Sequence, residues 1–438
     1  MGWVDLVLIG FGILLACFAI GMPVAFAFLI INVVGAYVFW NGAAGLNQLV
    51  LSVMESVTHF GLLPVPLFIM MGEIMFRSGI ASKLMDVLSA WIGRVPGRLS
   101  LMAVGGGTLF ATLTGSGMAG TAMLGKILVP EMEKRGYQKP MSLGPILGSG
   151  GLAIMIPPTA LGVLLAALAN FSIGDFLVAI VVPGLLMAVI IAAYVIIRCT
   201  IQPGLAPVYD VPPQPLGRKL KNTAIYVFPM FVIVFLVVGL VFLGIATATE
   251  AAALGALGSF VLAYLYKGLN WSVVAETLKS TLATSVMMLM ILTGSTAFSQ
   301  LMAFTGATGG LASLATSYEI SPIWVVIAMQ VILLVLGCFM EPLSIMMLTV
   351  PIYFPVIEQF GFNPIWFGAI MLLNMEMATI SPPFGLSLFV MKGVAPPGTT
   401  MGDVYRAATP FFLCHGLAMA LMIAFPDIVL WLPSQMER

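Results

Sequence analysis

Four interruptions in an otherwise apolar chain hold the groups that can do chemistry. Gly115-Ser116-Gly117-Met118-Ala119 and Gly337-Cys338-Phe339-Met340-Glu341 are tips carrying glycine, while Ile156-Pro157-Pro158-Thr159 and Ser381-Pro382-Pro383-Phe384 are built on double prolines. Proline has no N–H and its ring collides with the preceding turn, so each pair ends a helix and strips the carbonyls upstream of their helical donors. Carbonyls freed in this way suit a sodium ion, helped by the hydroxyls of Thr114, Ser116, Thr159 and Ser381, and half-helix N-termini aimed inward suit an anionic substrate. A single glycine or proline here is explained by a kink or by close packing. The set is not, because its members recur in the same order in both halves, and Gly72 precedes the first tip by the interval that separates Gly294 from the second. Two halves with matching broken apolar segments are the pattern of a repeat-built secondary transporter.

Four carboxylates, Glu73, Glu250, Glu341 and Glu376, fall in or beside apolar stretches, where acids are costly and suggest function. Glu250 follows Thr247-Ala248-Thr249 and is explained by helix capping. Glu376, five residues before Ser381, is placed to brace the second break, and a proton-coupling role for Glu341 or Glu376 stays open. His59 and His415 are isolated and the four cysteines (17, 199, 338, 414) have no metal spacing. With no nucleophile–base pair or cofactor motif either, an enzyme is excluded. Net charge is zero with no basic block, which excludes nucleic acid as a partner.

The elements that must position these breaks are membrane helices. Hydrophobic residues make up 61% of the 438 residues and charged ones 8%, against about 25% charged in soluble domains. Apolar runs at 3–20, 24–40, 176–197, 224–243, 282–301, 323–336 and 411–432 are the clearest spans. The first lacks a basic n-region and a cleavage site, and is expected to be a retained helix. Basic residues cluster at 77–98, 126–139, 198–221, 267–279 and 392–406, which marks the cytoplasmic side. The segment near 99–130 has basic residues at both ends, so it is expected to enter from the cytoplasm, turn at Gly115 and return, its arms ending short of Pro130. The segment near 322–357 is flanked by Glu319 and Glu358, and counting the intervening crossings places it on the opposite face. Both chain termini come out on the outer side. Residues 41–59 and 80–93 are amphipathic and expected as interfacial arms. The sequence thus predicts an all-α integral membrane protein, an inverted repeat with two re-entrant hairpins and two broken helices. Its parts are a first repeat at 1–198 (broken helix near 140–170), a proline-rich linker at 199–222, and a second repeat at 223–438 (broken helix near 363–391).

The chain resembles the large membrane subunit, DctM type, of tripartite ATP-independent periplasmic (TRAP) transporters. The resemblance is carried by Val65-Pro66-Leu67-Phe68-Ile69-Met70-Met71-Gly72-Glu73, Thr114-Gly115-Ser116-Gly117, Ile156-Pro157-Pro158-Thr159, Ala248-Thr249-Glu250-Ala251-Ala252, Val350-Pro351-Ile352 and Ser381-Pro382-Pro383-Phe384-Gly385, in order over nearly the whole chain. It implies a sodium-driven importer of a small organic anion, carboxylate or sulfonate, in the bacterial inner membrane. A periplasmic binding protein (DctP type) would deliver the substrate, and a small four-helix subunit (DctQ type), expected here as a separate chain, would complete the complex. The transport domain holding both hairpins would move as an elevator against a scaffold. A self-sufficient sodium- or proton-coupled carrier is the alternative. By motif position the resemblance puts sodium at Thr114, Ala153, Ile156 and Pro157, and at Gly337, Ala378, Ser381 and Phe384, mostly through backbone carbonyls. Ala153 and Ala378 stand where the family carries glycine, and Ser381 where it often carries threonine. Ser116, Ser295, Thr296, Ser344 and Asn374 are the polar groups near the breaks expected to face the substrate.

Overall fold

The computed structural model describes the chain except residues 1, 2, 59, 115, 116, 210–214, 308, 311, 312, 314–320, 339, 437 and 438. The described regular structure is helical. In the first half run α1 (Trp3–Ala19), α2 (Val24–Phe39), α3 (Ala43–Thr58), α4 (Pro64–Arg77), α5 (Ile80–Trp91), α6 (Arg98–Thr114) and α7 (Gly117–Lys134). There follow α8 (Lys139–Met155), α9 (Ala160–Leu168) and α10 (Ile173–Ile201), with α8 and α9 bent by 47° at the first Pro-Pro. The second half holds α11 (Leu216–Phe242), α12 (Ala248–Leu265) and α13 (Trp271–Phe304). It continues with α14 (Pro322–Gly337), α15 (Pro342–Gln359), α16 (Pro364–Thr379), α17 (Leu386–Val394), α18 (Met401–Ala424) and α19 (Asp427–Ser434). Both Pro-Pro peptide bonds are cis.

Two features differ from the sequence reading. The first hairpin arm does not stop at its proline: α7 passes through Pro130 to Lys134, as α15 passes through Pro351 and Pro355 to Gln359. One missing N–H per proline is tolerated where neighbouring helices surround the backbone. The apolar run 411–432 is not one span, because α18 ends at Ala424 and a new helix starts after Pro426. Among the described residues five helices are long and apolar enough to cross a membrane, or six if α8 and α9 form one broken span, while α2 and α14 are apolar but shorter.

The halves interlock rather than sit side by side. α18 of the second half lies on α8 of the first, where Gly144 and Gly148 admit the Phe411 ring and the His415 Nε2 pairs with the Gly148 carbonyl at 3.1 Å. α17 packs on α7, where a Cβ on Gly125 would stand 2.7 Å from Val394. A second body is built from α2, α4, α12 and α13: Asn32 donates to the Gly294 carbonyl at 2.6 Å, and Gly255 of α12 abuts Val237 and Met71. Helix packing of this kind rests on small residues that let backbones approach.

The two bodies are joined on one side by residues 92–97 and by the linker after α10. Arg98, 5% exposed, donates to the carbonyls of Ile92 (2.7 Å) and Ser89 (2.5 Å) and to the Tyr209 hydroxyl (3.0 Å). The Arg135 guanidinium lies over the Tyr209 ring, 3.9 Å from its centroid. One buried cation therefore ties the first connection to the second. Tyr137 accepts from the Leu99 N–H close by, and burial pushes its phenol up to about 12.

Candidate functional site

Backbone interrupted at membrane depth must be enclosed by protein or line a cavity. Both occur here. At the first break the Ile156 N–H reaches the Leu152 carbonyl at 2.9 Å, but the next residue that would serve the helix, at the Ala153 carbonyl, is Pro157 and has no proton to give. Thr159 is spent on capping: its hydroxyl accepts from the Gly162 N–H at 3.3 Å and starts α9. At the second break Pro382 does the same to Ala378, whose carbonyl is met instead by the Ser381 N–H (3.2 Å) and hydroxyl (2.9 Å). Cys338, just past α14, places its Sγ 3.5 Å from the Ser381 Oγ, so the second tip rests on the second break. A Cβ on Gly337 would overlap the Ala378 methyl, which explains why the chain carries no side chain there.

Both hairpins, the first break and the end of α16 that precedes the second break meet at one cavity of about 350 Å³. Gly117 and Met118 open it from α7, Ile154 and Pro158 from the first break, Glu341 and Leu343 from the second hairpin, and Glu376 and Thr379 from α16. The second body closes it with Glu73 and Arg77 of α4 and with Thr284, Met287 and Met288 of α13. Most of this wall is apolar, with a few convergent polar groups, as in small-molecule sites generally. Its charges are three acids and one arginine. Arg77 is shared between Glu73 (2.9 Å) and Glu276 (2.6 Å), and Ser280 donates to Glu73 at 2.8 Å. Glu376 is 1% exposed; the Thr379 hydroxyl, nearest the Glu376 backbone carbonyl at 2.9 Å, lies 3.3 Å from its Oε1, and Ser387 donates to Thr379 at 3.1 Å.

Of the residues expected at the sodium positions, Ala153, Ile156 and Pro157 are buried together at the first break, and Gly337, Ala378 and Ser381 converge at the second. The Phe384 side chain is half exposed. Thr114 ends α6, but its side chain and the whole of Ser116 lie outside the described residues. The other residues expected to face substrate stand elsewhere. Ser295 donates to the Met347 carbonyl at 2.6 Å and Thr296 to Leu292 at 3.0 Å, and both border a second cavity of about 620 Å³. Asn374 donates to the Gln330 carbonyl (2.7 Å) and side chain (2.8 Å), bracing the second hairpin, and Ser344 is buried in α15. Sequence reasoning passed over Arg77 and Thr379. Arg77 was visible as a Glu73–Arg77 pair at i, i+4 in an apolar helix; its second partner, Glu276, left no sequence signal.

Comparison with known proteins agrees with this architecture. In fold the chain is similar to MtrF of Neisseria gonorrhoeae (TM-score 0.67, 15% identity, 92% of this chain and 94% of that one). It is similar also to the YdaH transporter of Alcanivorax borkumensis (TM-score 0.62, 16% identity, 88% and 90%). In sequence it is 31% identical over 391 residues to the C4-dicarboxylate TRAP transporter large permease protein DctM of Pseudomonas aeruginosa, covering 89% of this chain and 90% of that protein. It is 29% identical to the ectoine TRAP transporter large permease protein TeaC of Halomonas elongata, covering 96% of each. The family described as the tripartite ATP-independent periplasmic transporter, DctM component, matches residues 11–428, and the chain belongs to that family as a multi-pass membrane permease and not an enzyme.

Proposed function

We propose that this permease imports a small organic acid anion, carboxylate or sulfonate, across the bacterial inner membrane, driven by sodium and supplied by a periplasmic binding protein. The observation that carries the reading is the meeting of both hairpins, the first Pro-Pro break and the end of α16 that leads into the second at one 350 Å³ cavity between two packed bodies. That is where broken-helix transporters hold substrate and coupling ions. Relatives named for C4-dicarboxylate, ectoine and isethionate transport support a small acid as cargo. The isethionate relative is named as a DctMQ permease, which supports a DctQ-type small subunit as partner.

Sodium would be held at the two breaks. The Ala153 carbonyl, which Pro157 leaves without its helical donor, with Ile156 and Pro157, and the Ala378 and Gly337 carbonyls with the Ser381 hydroxyl, fit a hard monovalent cation. Movement of the hairpin-bearing body against α2, α4, α12 and α13, in elevator fashion, would carry the loaded cavity across. The test is uptake into proteoliposomes containing this chain, its small subunit and its binding protein. Replacing external sodium with potassium should abolish accumulation. Undiminished uptake in potassium would reject sodium coupling, and uptake by this chain alone would reject the tripartite reading.

A further inference from the structure

Among the described residues Arg77 is the one cation that lines the 350 Å³ cavity, and its guanidinium is held unevenly. Its Nε meets Glu73 Oε2 at 2.9 Å, and Glu73 Oε1 accepts from Ser280 at 2.8 Å, so both oxygens of that carboxylate are engaged and one edge of the guanidinium is fixed. Its Nη1 meets Glu276 Oε2 at 2.6 Å, and its Nη2 makes no hydrogen bond among the described residues. Glu276 is the looser of the two acids. Its side chain is 59% exposed, it does not line the cavity, and Ser272 donates to its Oε1 at 3.3 Å, which leaves it a partner when Arg77 turns away.

A guanidinium binds an acid best through two parallel N–H groups, and Nη1 with Nη2 makes such a fork. The exposed pair with Glu276 is weak, because water screens it and two long side chains must be held still. The cavity wall that Arg77 shares with Phe68, Phe76, Met287 and Met288 is apolar, and an ion pair is stronger where water is excluded. Exchanging one acid group for another at Nη1 also leaves the charge around Arg77 unchanged. We propose that Arg77 recognises the acid group of the cargo, with Glu276 as a placeholder that the cargo displaces and Glu73 as the residue that orients the guanidinium. The assignment rests on the small acid cargo proposed above and fits a carboxylate or a sulfonate, since each offers two oxygens to the fork.

The two halves differ at this point. The interval that pairs Gly72 with Gly294 pairs Glu73 with Ser295 and Arg77 with Ser299, and both serines border the 620 Å³ cavity. The same interval pairs Thr284 of the smaller cavity with Leu62 of the larger. The cavities therefore draw on matching stretches of α4 and α13 with a difference in chemistry: a guanidinium lines the smaller, and among the described residues no lysine or arginine lines the larger. Arg77 accordingly grips an acid in one cavity and has no charged counterpart in the other.

The test is the anion-dependent rise in melting temperature of the purified full chain in detergent at fixed sodium, with succinate and isethionate as probes. For whichever anion the wild type binds, Arg77→Gln should weaken the midpoint about tenfold or more while still unfolding cooperatively, and Arg77→Lys should recover only part. Glu276→Gln should bind the anion more tightly, by about 1.5- to 5-fold, which a pair that merely fastens α4 to α13 would not produce. Where Arg77→Gln does not yield folded protein, Glu276→Gln decides: tighter binding supports the assignment and an unchanged midpoint overturns it. Wild-type and Arg77→Gln proteins that respond alike overturn the role of Arg77 and leave the acid cargo standing. A wild type that responds to neither anion overturns the acid cargo and this assignment with it.

Discussion

Replacing Gly337 by alanine tests whether the second tip must seat on the second break. The added methyl would overlap the Ala378 Cβ and lie 3.4 Å from the Ala378 Cα and 3.6 Å from the Ile345 Cδ1. Overpacking of this kind costs about 1–3 kcal/mol. The strain falls only on the seated arrangement, in which Cys338 lies beside Ser381, so sodium binding at this break should weaken by roughly 5- to 150-fold. The readout is the rise in melting temperature with sodium. A ligand at 100 times its dissociation constant stabilises by about 2.7 kcal/mol, and a tenfold loss of affinity cuts that by about half. The companion change Ala378→Gly removes the methyl that would be struck. The double variant should therefore recover the sodium response, although glycine inside α16 lowers baseline stability by about 0.5–1 kcal/mol. An unchanged sodium midpoint in Gly337→Ala, or a double variant no better than the single, would show that the seat is not part of the ion site.

Two further outcomes follow from packing. Arg98→Ala strips donors from the part-buried Ser89 and Ile92 carbonyls, at about 1 kcal/mol each, so chemical unfolding in detergent should show a less stable protein. Arg98→Lys should restore only part, because a single ammonium cannot reach Ser89, Ile92 and Tyr209 together, and an alanine variant as stable as the wild type would refute the clamp. Gly148→Val would place a Cβ 2.6 Å from the Phe411 ring and should destabilise by about 1–3 kcal/mol, relieved by Phe411→Leu; equal losses in the single and double variants would show that the ring is not what the new side chain meets.

Much of the site was legible because proline and glycine act locally. Pro157-Pro158 and Pro382-Pro383 end their helices whatever surrounds them, and α14 ends at Gly337 ahead of α15 at Pro342. Helix ends set by tertiary context were not legible. Pro130, Pro351 and Pro355 sit inside helices, since the neighbours that decide whether a lost hydrogen bond is tolerated lie far away in sequence. Polar partners were illegible for the same reason. Asn374 reads as a substrate contact from its place near the second break, and its Nδ2 donates to Gln330 on the facing hairpin arm, a pairing no local pattern announces. Glu376 was singled out by its cost in an apolar run, but the Gly117 and Gly151 backbone it packs against lies in the other half.

The two cavities share one helix, and that arrangement bears on how cargo crosses. Along α13, Thr284, Met287 and Met288 face the smaller cavity, and Ser295, Thr296, Ser299 and Gln300 face the larger. Between them Met288, Leu289 and Leu292 meet Leu62, Val65 and Leu164 around a void of only about 10 Å³, room for one water at most. At 1.5 Å per residue, Met288 and Gln300 are roughly 18 Å apart along the axis. An organic anion forced through so narrow an apolar waist would shed its hydration with no polar group in exchange except Ser285, whose buried hydroxyl has no partner. The waist therefore opposes leakage of free cargo. The proposed elevator movement, carrying a loaded site past the waist along the α13 face, would avoid that dehydration, because the ligand would keep its polar partners throughout. The α13 face then needs no binding groups at its centre, and Leu289 and Leu292 there supply none.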